Sequence, residues 1–303
     1  MKSFVWGLLV AVGMVVGGDL HAQFQPQQAL KVQIFTERQQ FLTQEPMQVS
    51  VRVYNYTGEA LILGQEADWI SFSVEPMANK SIVRQVSEPE VAVPAFAVNT
   101  GEMATRRVNL VPHFEIVKSG RYKITATVKC GRWGEKSSEP LMVDVVSGTP
   151  LWVREFGVPG PNGVESELRK YQVVQTRHMD ASQLYIKVTD AYDSKVYGVH
   201  HLGQMVIEHK TEQQTDRNNR LHVLHRSGRS FFTYSMVDYD GRIILRQRYE
   251  QDGIRPGLQP TASGEVLVSG GVRTRVASDI DPLADELEAE KKRQQQQQQT
   301  QAP

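Results

Sequence analysis

The sequence predicts an all-β protein built from two consecutive antiparallel units, and three observations carry that reading. Apolar residues recur at every second position over long stretches, the spacing that places side chains on one face of a pleated strand. Turn-forming Gly, Asn and Asp residues interrupt these runs at short intervals. The chain has 303 residues, 40% of them apolar and 22% charged, enough for packed cores and long enough for two of ordinary size.

Taken from the start, Lys2 precedes an apolar run from Phe4 to Val16, followed by Gly17, Gly18 and the short segment ending at Ala22. As a helix this run rises only about 20 Å against a hydrocarbon layer of about 30 Å, so residues 1–22 read as a cleaved signal peptide. The expected mature protein is exported, periplasmic or extracellular, with no transmembrane span after cleavage. Cys130 is the only cysteine, which excludes an intrachain disulfide and leaves the fold to its core. Following an alternating run, that cysteine is expected at a strand end.

Residues 23–148 form the first unit. Val32 and Ile34 open its alternation; Val49, Val51 and Val53 follow, then Ile70, Phe72 and Val74. Tyr122, Ile124, Ala126 and Val128 make a fourth set, and Leu141, Val143 and Val145 a last. Turns are expected at Tyr56–Glu59, Met77–Lys80 and Lys118–Arg121, so the unit reads as a two-sheet sandwich. The asparagine-bearing turn Val53-Tyr54-Asn55-Tyr56-Thr57-Gly58-Glu59, the Thr100-Gly101-Glu102 before a strand and the entry Gly120-Arg121-Tyr122-Lys123-Ile124 resemble the immunoglobulin-like domains of bacterial envelope proteins. That resemblance implies an immunoglobulin-like sandwich over Ala29–Val146, with Tyr122 at a corner between sheets; it implies no activity. The proline-bearing stretch Glu88–Phe96 reads as an edge strand or crossover loop.

After a linker at Gly148–Pro150, residues 150–278 read as an antiparallel β-meander, either a second sandwich or a pair of blade-like sheets. Strands are expected at Tyr171–Met179, Gln183–Thr189, Tyr197–Leu202, Leu221–His225, Phe231–Val237, Ile243–Tyr249 and Val266–Val268. Leu184–Asp190 is echoed 48 residues later by Phe232–Asp238. Residues 279–303 carry three basic and six acidic side chains. Asp281-Pro282 at their start and Lys291, Lys292 and Arg293 further on predict a short helix, and Gln294–Gln299 a disordered glutamine-rich end.

For chemistry, the 34 basic residues balance 34 acidic ones, which argues against a nucleic-acid binder. No nucleophile elbow, His-Glu-x-x-His, Walker loop or dinucleotide fingerprint occurs, and no cofactor is called for. His200, His201, His209, His222 and His225 crowd into 26 residues, and His200, His209, His222 and His225 are the candidate metal ligands. On strands, however, His200 and His201 point to opposite faces, as do His222 and His225. Asp238-Tyr239-Asp240-Gly241 and the Asp190–Asp193 segment read as hairpin turns and not calcium loops. Arg217, Arg220, Arg226 and Arg229 are candidates for holding an anionic polymer. Trp133, between glycines, is the tryptophan expected to be partly exposed, whereas Trp69 and Trp152 should be packed. These features predict a non-enzymatic exported binding or structural module whose partner is an envelope protein or a glycan. The alternatives are a metal-binding protein or metal-dependent enzyme using the histidine-rich stretch, and a proteinase inhibitor.

Overall fold

The computed structural model describes residues 29–78, 81–159, 166–178 and 181–282. The expected signal peptide, most of the C-terminal helix, the glutamine tract, Asn79-Lys80 of one expected turn and Met179 lie outside the described residues. Between Leu30 and Val146 run ten strands: β1 (Leu30–Phe35), β2 (Gln40–Leu42), β3 (Gln48–Asn55), β4 (Leu61–Leu63), β5 (Ile70–Pro76), β6 (Phe96–Val98), β7 (Met103–Asn109), β8 (Gly120–Lys129), β9 (Glu135–Ser137) and β10 (Leu141–Val146). One sheet has the order β1-β3-β7 and a second β2-β10-β8-β5, with β9 on β8; β4 and β6 form a separate pair. All pairings are antiparallel except β2 with β10.

The alternation explains why the two sheets meet. On β3, Val49, Val51 and Val53 are shut in while Arg52 and Tyr54 keep contact with solvent. Val74 of β5, Ile124 and Val128 of β8 and Val143 of β10 face them across one core. Each such side chain removed from water contributes about 1.5–3 kcal/mol. Asn55 ends β3 as the expected turn residue: its amide donates to the carbonyls of Glu59 and Val98, both at 2.7 Å, and its carbonyl accepts from the Thr57 N–H at 3.0 Å. The Glu88–Phe96 stretch is a crossover loop into β6, anchored by Val91, whose carbonyl accepts from the Trp69 indole at 2.8 Å.

Eleven strands follow among the described residues: β11 (Thr149–Pro159), β12 (Ser166–His178), β13 (Ala181–Asp190), β14 (Val196–Met205), β15 (Glu212–Thr215), β16 (Leu221–Arg226), β17 (Phe231–Val237), β18 (Ile243–Glu250), β19 (Gly257–Pro260), β20 (Val266–Ser269) and β21 (Val272–Thr274). They make two antiparallel meanders, β11-β12-β13-β14 and β15-β16-β17-β18 with β21 added, and the hairpin β19-β20. The 48-residue echo falls on β13 and β17, the third strand of each meander. The expected turns at Asp190–Asp193 and Asp238–Gly241 are present, the latter closed by Gly241 N–H on the Asp238 carbonyl at 3.0 Å.

These layers stack in chain order. Val174, Tyr185 and Val199 pack on Leu42 of β2, joining the first meander to the sandwich. Tyr171, Leu184, Ile186 and Leu202 on its other face meet Leu221, Val223 and Val237 of the second meander. The far face of that sheet, with Phe232 and Tyr234, is covered by Leu258 and Val268 of the hairpin. Sheets enclosed on both faces bury consecutive residues, which is why β16 lacks a two-residue alternation over Leu221–His225.

The expected linker needs correction. Thr149 is already paired with Gln175, and Pro150 with Val174, so β11 begins within the residues read as a linker. A Cβ on Gly148, at φ +69°, would lie 2.5 Å from Val174 and 3.0 Å from Leu42. Packing of the two halves, rather than chain flexibility, occupies this point.

Candidate functional site

The sequence-predicted residues do not gather into one site. Among the described residues no three His, Cys, Asp or Glu side chains are placed to hold a metal ion. His200, His209, His222 and His225 therefore form no metal centre, and the reason is local. His200 Nε2 donates to the Gly241 carbonyl at 2.5 Å. His209 contacts Arg226. His222 and His225 face opposite sides of their sheet, toward the hairpin and the first meander respectively, since they oppose Met236 and Thr233 in register. His225 is 1% exposed, and neither ring nitrogen has a hydrogen-bond partner of good geometry. Burial pushes its pKa down to about 4.

The arginine cluster is also divided. Arg217 and Arg220 lie at one end of β16, and Arg226 and Arg229 at the other, about 20 Å away for a six-residue strand. Arg220 and His222 do come together, on Asp216. That buried carboxylate accepts from Arg220 Nε at 2.6 Å, His222 Nε2 at 3.2 Å and the backbone N–H groups of Asn218 and Arg220, each at 2.9 Å. Burial opposes its ionisation, but these donors hold its pKa below the usual carboxylate value. With Nε2–H committed to Asp216, His222 Nδ1 accepts from the Tyr234 hydroxyl at 2.7 Å. Trp133 stands in a 3-10 turn, Gly131–Trp133, half-buried at the edge of the sandwich core with Arg132 over its ring. Trp69 is buried and Trp152 partly buried against the meander core.

Two cavities lie beside β14, where the sandwich meets the first meander. A hollow of about 550 Å³ is lined by the loop after β1, including Arg38, by Gln40 at the start of β2, and by Gln183, Tyr185, His201 and Gln204. A second, of about 570 Å³, shares Arg38 and His201 and extends to Glu45, His200 and Arg246. Their polar groups are fixed by one another. Arg38 binds Glu45 and donates to the Tyr185 hydroxyl at 3.3 Å, while Glu45 accepts from the Leu42 N–H at 2.8 Å. Gln40 reaches across the junction to the Arg177 carbonyl and Thr176 hydroxyl, both at 3.2 Å. His201 Nε2 pairs with Gln183 Oε1 at 2.8 Å, its ring 5.0 Å from that of Tyr185.

Burial sets the charge states here. It holds His201 down to about 3, assisted by Arg38 and Arg246, so this imidazole is neutral at pH 7. Burial also raises Tyr185 to about 12 and lifts Glu45 above its ordinary value, Arg38 opposing the latter shift. The lining thus carries four side-chain amides, a guanidinium, a phenol and a neutral imidazole, with the Thr36 and Glu37 side chains beside them, a mixed set of donors and acceptors suited to a polar ligand. Sequence reading missed Arg38, Gln40, Gln183, Tyr185 and Gln204. Their convergence depends on β2 docking beside β13 and β14, which no local pattern announces.

No protein-family model matches the sequence, and no curated protein matches it. Among solved structures, the sporulation control protein Spo0M of Bacillus subtilis is similar at 12% identity and a TM-score of 0.28, over 53% of this chain and 79% of that one. That degree of likeness carries no argument about function. Among the described residues no helix is long and apolar enough to cross a membrane.

Proposed function

We propose that the chain is an exported, non-enzymatic binding module of the bacterial envelope, taking a hydroxyl-rich ligand such as a glycan unit in the cleft between its two halves. The observation that carries this reading is the junction lining itself. Arg38, Gln40, Gln183 and His201 are held in place by hydrogen bonds before any ligand arrives, so little ordering cost remains for binding. Four glutamine side chains, Gln39, Gln40, Gln183 and Gln204, line the cleft, and each amide carries the donor and acceptor pair that sugar hydroxyls use. The apolar run before Ala22 supports export to the periplasm or beyond.

An immunoglobulin-like reading of residues 29–146 is supported by the split of β1-β3-β7 from β10-β8-β5, the two strand sets such sandwiches use. Tyr122 adds to it: this buried residue donates its hydroxyl to the Lys118 carbonyl at 2.6 Å, a tyrosine corner. Titration calorimetry of the purified chain against soluble envelope glycan fragments tests the ligand. Saturable heat that Gln183→Ala reduces about tenfold is expected, for loss of a good buried hydrogen bond. Equal binding by this variant, or hydrolysis of the fragments by the purified protein, refutes the reading.

A further inference from the structure

On the other side of β14, between it and β17-β18, lies a third hollow of about 390 Å³. Arg246 and Arg248 line it together with Ser227, Thr233 and Asp279. The register opposes Ser235 to Arg246 and Thr233 to Arg248, which places all four side chains on the face turned toward the first meander. Two arginines are therefore adjacent on that face, two residues apart. Among the described residues neither makes an ion pair.

Their hydrogen bonding is also incomplete. Arg246 gives one terminal N–H to the His201 carbonyl at 2.8 Å, but its Nε is buried without a partner. Arg248 has the same unpartnered Nε and lies over the Phe231 ring, 3.6 Å from its centroid. Ser235 Oγ, in a residue 0% exposed, is unpartnered beside them. Ser235 is not on the lining, but Arg246 and Arg248 both are, and unpaired buried donors and neighbouring like charges are each costly, so the two arginines call for a compensating group in the hollow. Asp279 on the lining makes no ion pair with either arginine: its Oδ2 accepts from Arg273 at 2.8 Å and from the Val276 N–H at 3.0 Å, and its Oδ1 is a further buried atom of the hollow without a partner. Partial loss of water around Arg246, which burial makes less basic than an exposed arginine, points the same way.

We propose that this hollow binds a small oxyanion-bearing molecule, its carboxylate, phosphate or sulfate group held by the guanidinium groups of Arg246 and Arg248, the Thr233 hydroxyl beside them being donated to Ser227 Oγ at 2.9 Å. Guanidinium forks match such oxyanions with charge-assisted hydrogen bonds. The volume exceeds that of a bare ion and its shell and falls in the range of small-molecule sites. The site goes beyond the junction cleft, and its test needs no ligand there.

The purified chain is titrated with sodium phosphate, sodium sulfate and sodium acetate at ionic strength held constant with sodium chloride, following the arginine Nε–H resonances by NMR and binding heat by calorimetry. Saturable shifts confined to the Arg246 and Arg248 resonances with at least one of the three anions are expected, and the anion that binds identifies the oxyanion class. Arg248→Gln should weaken that binding about tenfold or more, Arg248→Lys less, and the exposed Arg154→Gln not at all. No saturable shift with any of the three, or binding unchanged by Arg248→Gln, overturns the proposal. Should Arg248→Gln fail to fold, the resonance shifts of the unaltered chain decide alone.

Discussion

His225 should make the stability of this protein fall in mild acid, and the size of the effect follows from its surroundings. In the unfolded chain the imidazole takes up a proton as the pH drops through about 6.5; in the folded chain burial delays this to about 4. Between those values the unfolded state holds the extra proton. The contribution of His225 is therefore complete above pH 6.5 and is lost as the pH falls toward 4, about 3.5 kcal/mol in all at roughly 1.4 kcal/mol per pH unit. At pH 4.5 about 2.5 kcal/mol of this should be gone. His225→Leu isolates the effect, since an apolar side chain of similar size replaces a ring with no well-formed hydrogen bond. Urea unfolding followed by tryptophan fluorescence at pH 7.5 and 4.5 measures it. The variant should lie within about 1 kcal/mol of the parent at pH 7.5 and lose about 2.5 kcal/mol less on acidification. Parallel losses in the two proteins would show that His225 does not titrate in this window, and the burial argument would be wrong.

Three further outcomes follow from other parts of the fold. Asp216→Ala should cost about 3 kcal/mol in urea unfolding, because it strands the Arg220 and His222 donors on a buried carboxylate's site. Gly198→Ala should lower stability by about 2 kcal/mol or more in thermal melts, since its Cβ would stand 2.2 Å from the Gly241 carbonyl, a backbone atom that cannot swing aside. Cys130 is 1% exposed and burial raises its thiol to about 11, so a thiol reagent at pH 8 should leave it unmodified until denaturant is added.

Most of the strands were legible because their side chains alternate over one buried face. Val49, Val51 and Val53 in β3, or Tyr122 to Val128 in β8, carry that signal plainly. What escaped were strands whose partners are remote or whose residues are polar. Gln40–Leu42 is only three residues, all buried, and pairs in parallel with β10 about a hundred positions away. Glu212–Thr215 contains no apolar residue, and Thr149–Pro159 opens with a proline that reads as a linker. The histidines were noticed for their density, yet density in sequence is not convergence. Alternation sends His222 to one sheet face and His225 to the other, and the expectation of opposite faces was the part of that reading that held. The junction residues had no such signal, because Arg38 and Gln183 meet only after two separate units have folded and docked.

The position of these three hollows beside β14 has a physical basis in that strand's pairing. β14 is an edge of its sheet, and its ladder with β13 shifts register twice, between Leu184 and Tyr185 and between Val188 and Thr189. Such irregularities twist a strand and release backbone groups from the ladder. As an edge strand β14 also presents backbone groups outward, and the His201 carbonyl accepts a hydrogen bond from Arg246 of the next sheet at 2.8 Å. The Val206 N–H likewise crosses to the Arg226 carbonyl at 2.9 Å. β14 is thus held by the second meander on one side and, through Val199 and Leu42, by the sandwich on the other. Adjacent His200 and His201 point into the two sides, one fixed on Gly241 and the other on Gln183. Arg246 thus joins the second meander to the His201 backbone, and His201 lines all three hollows along β14.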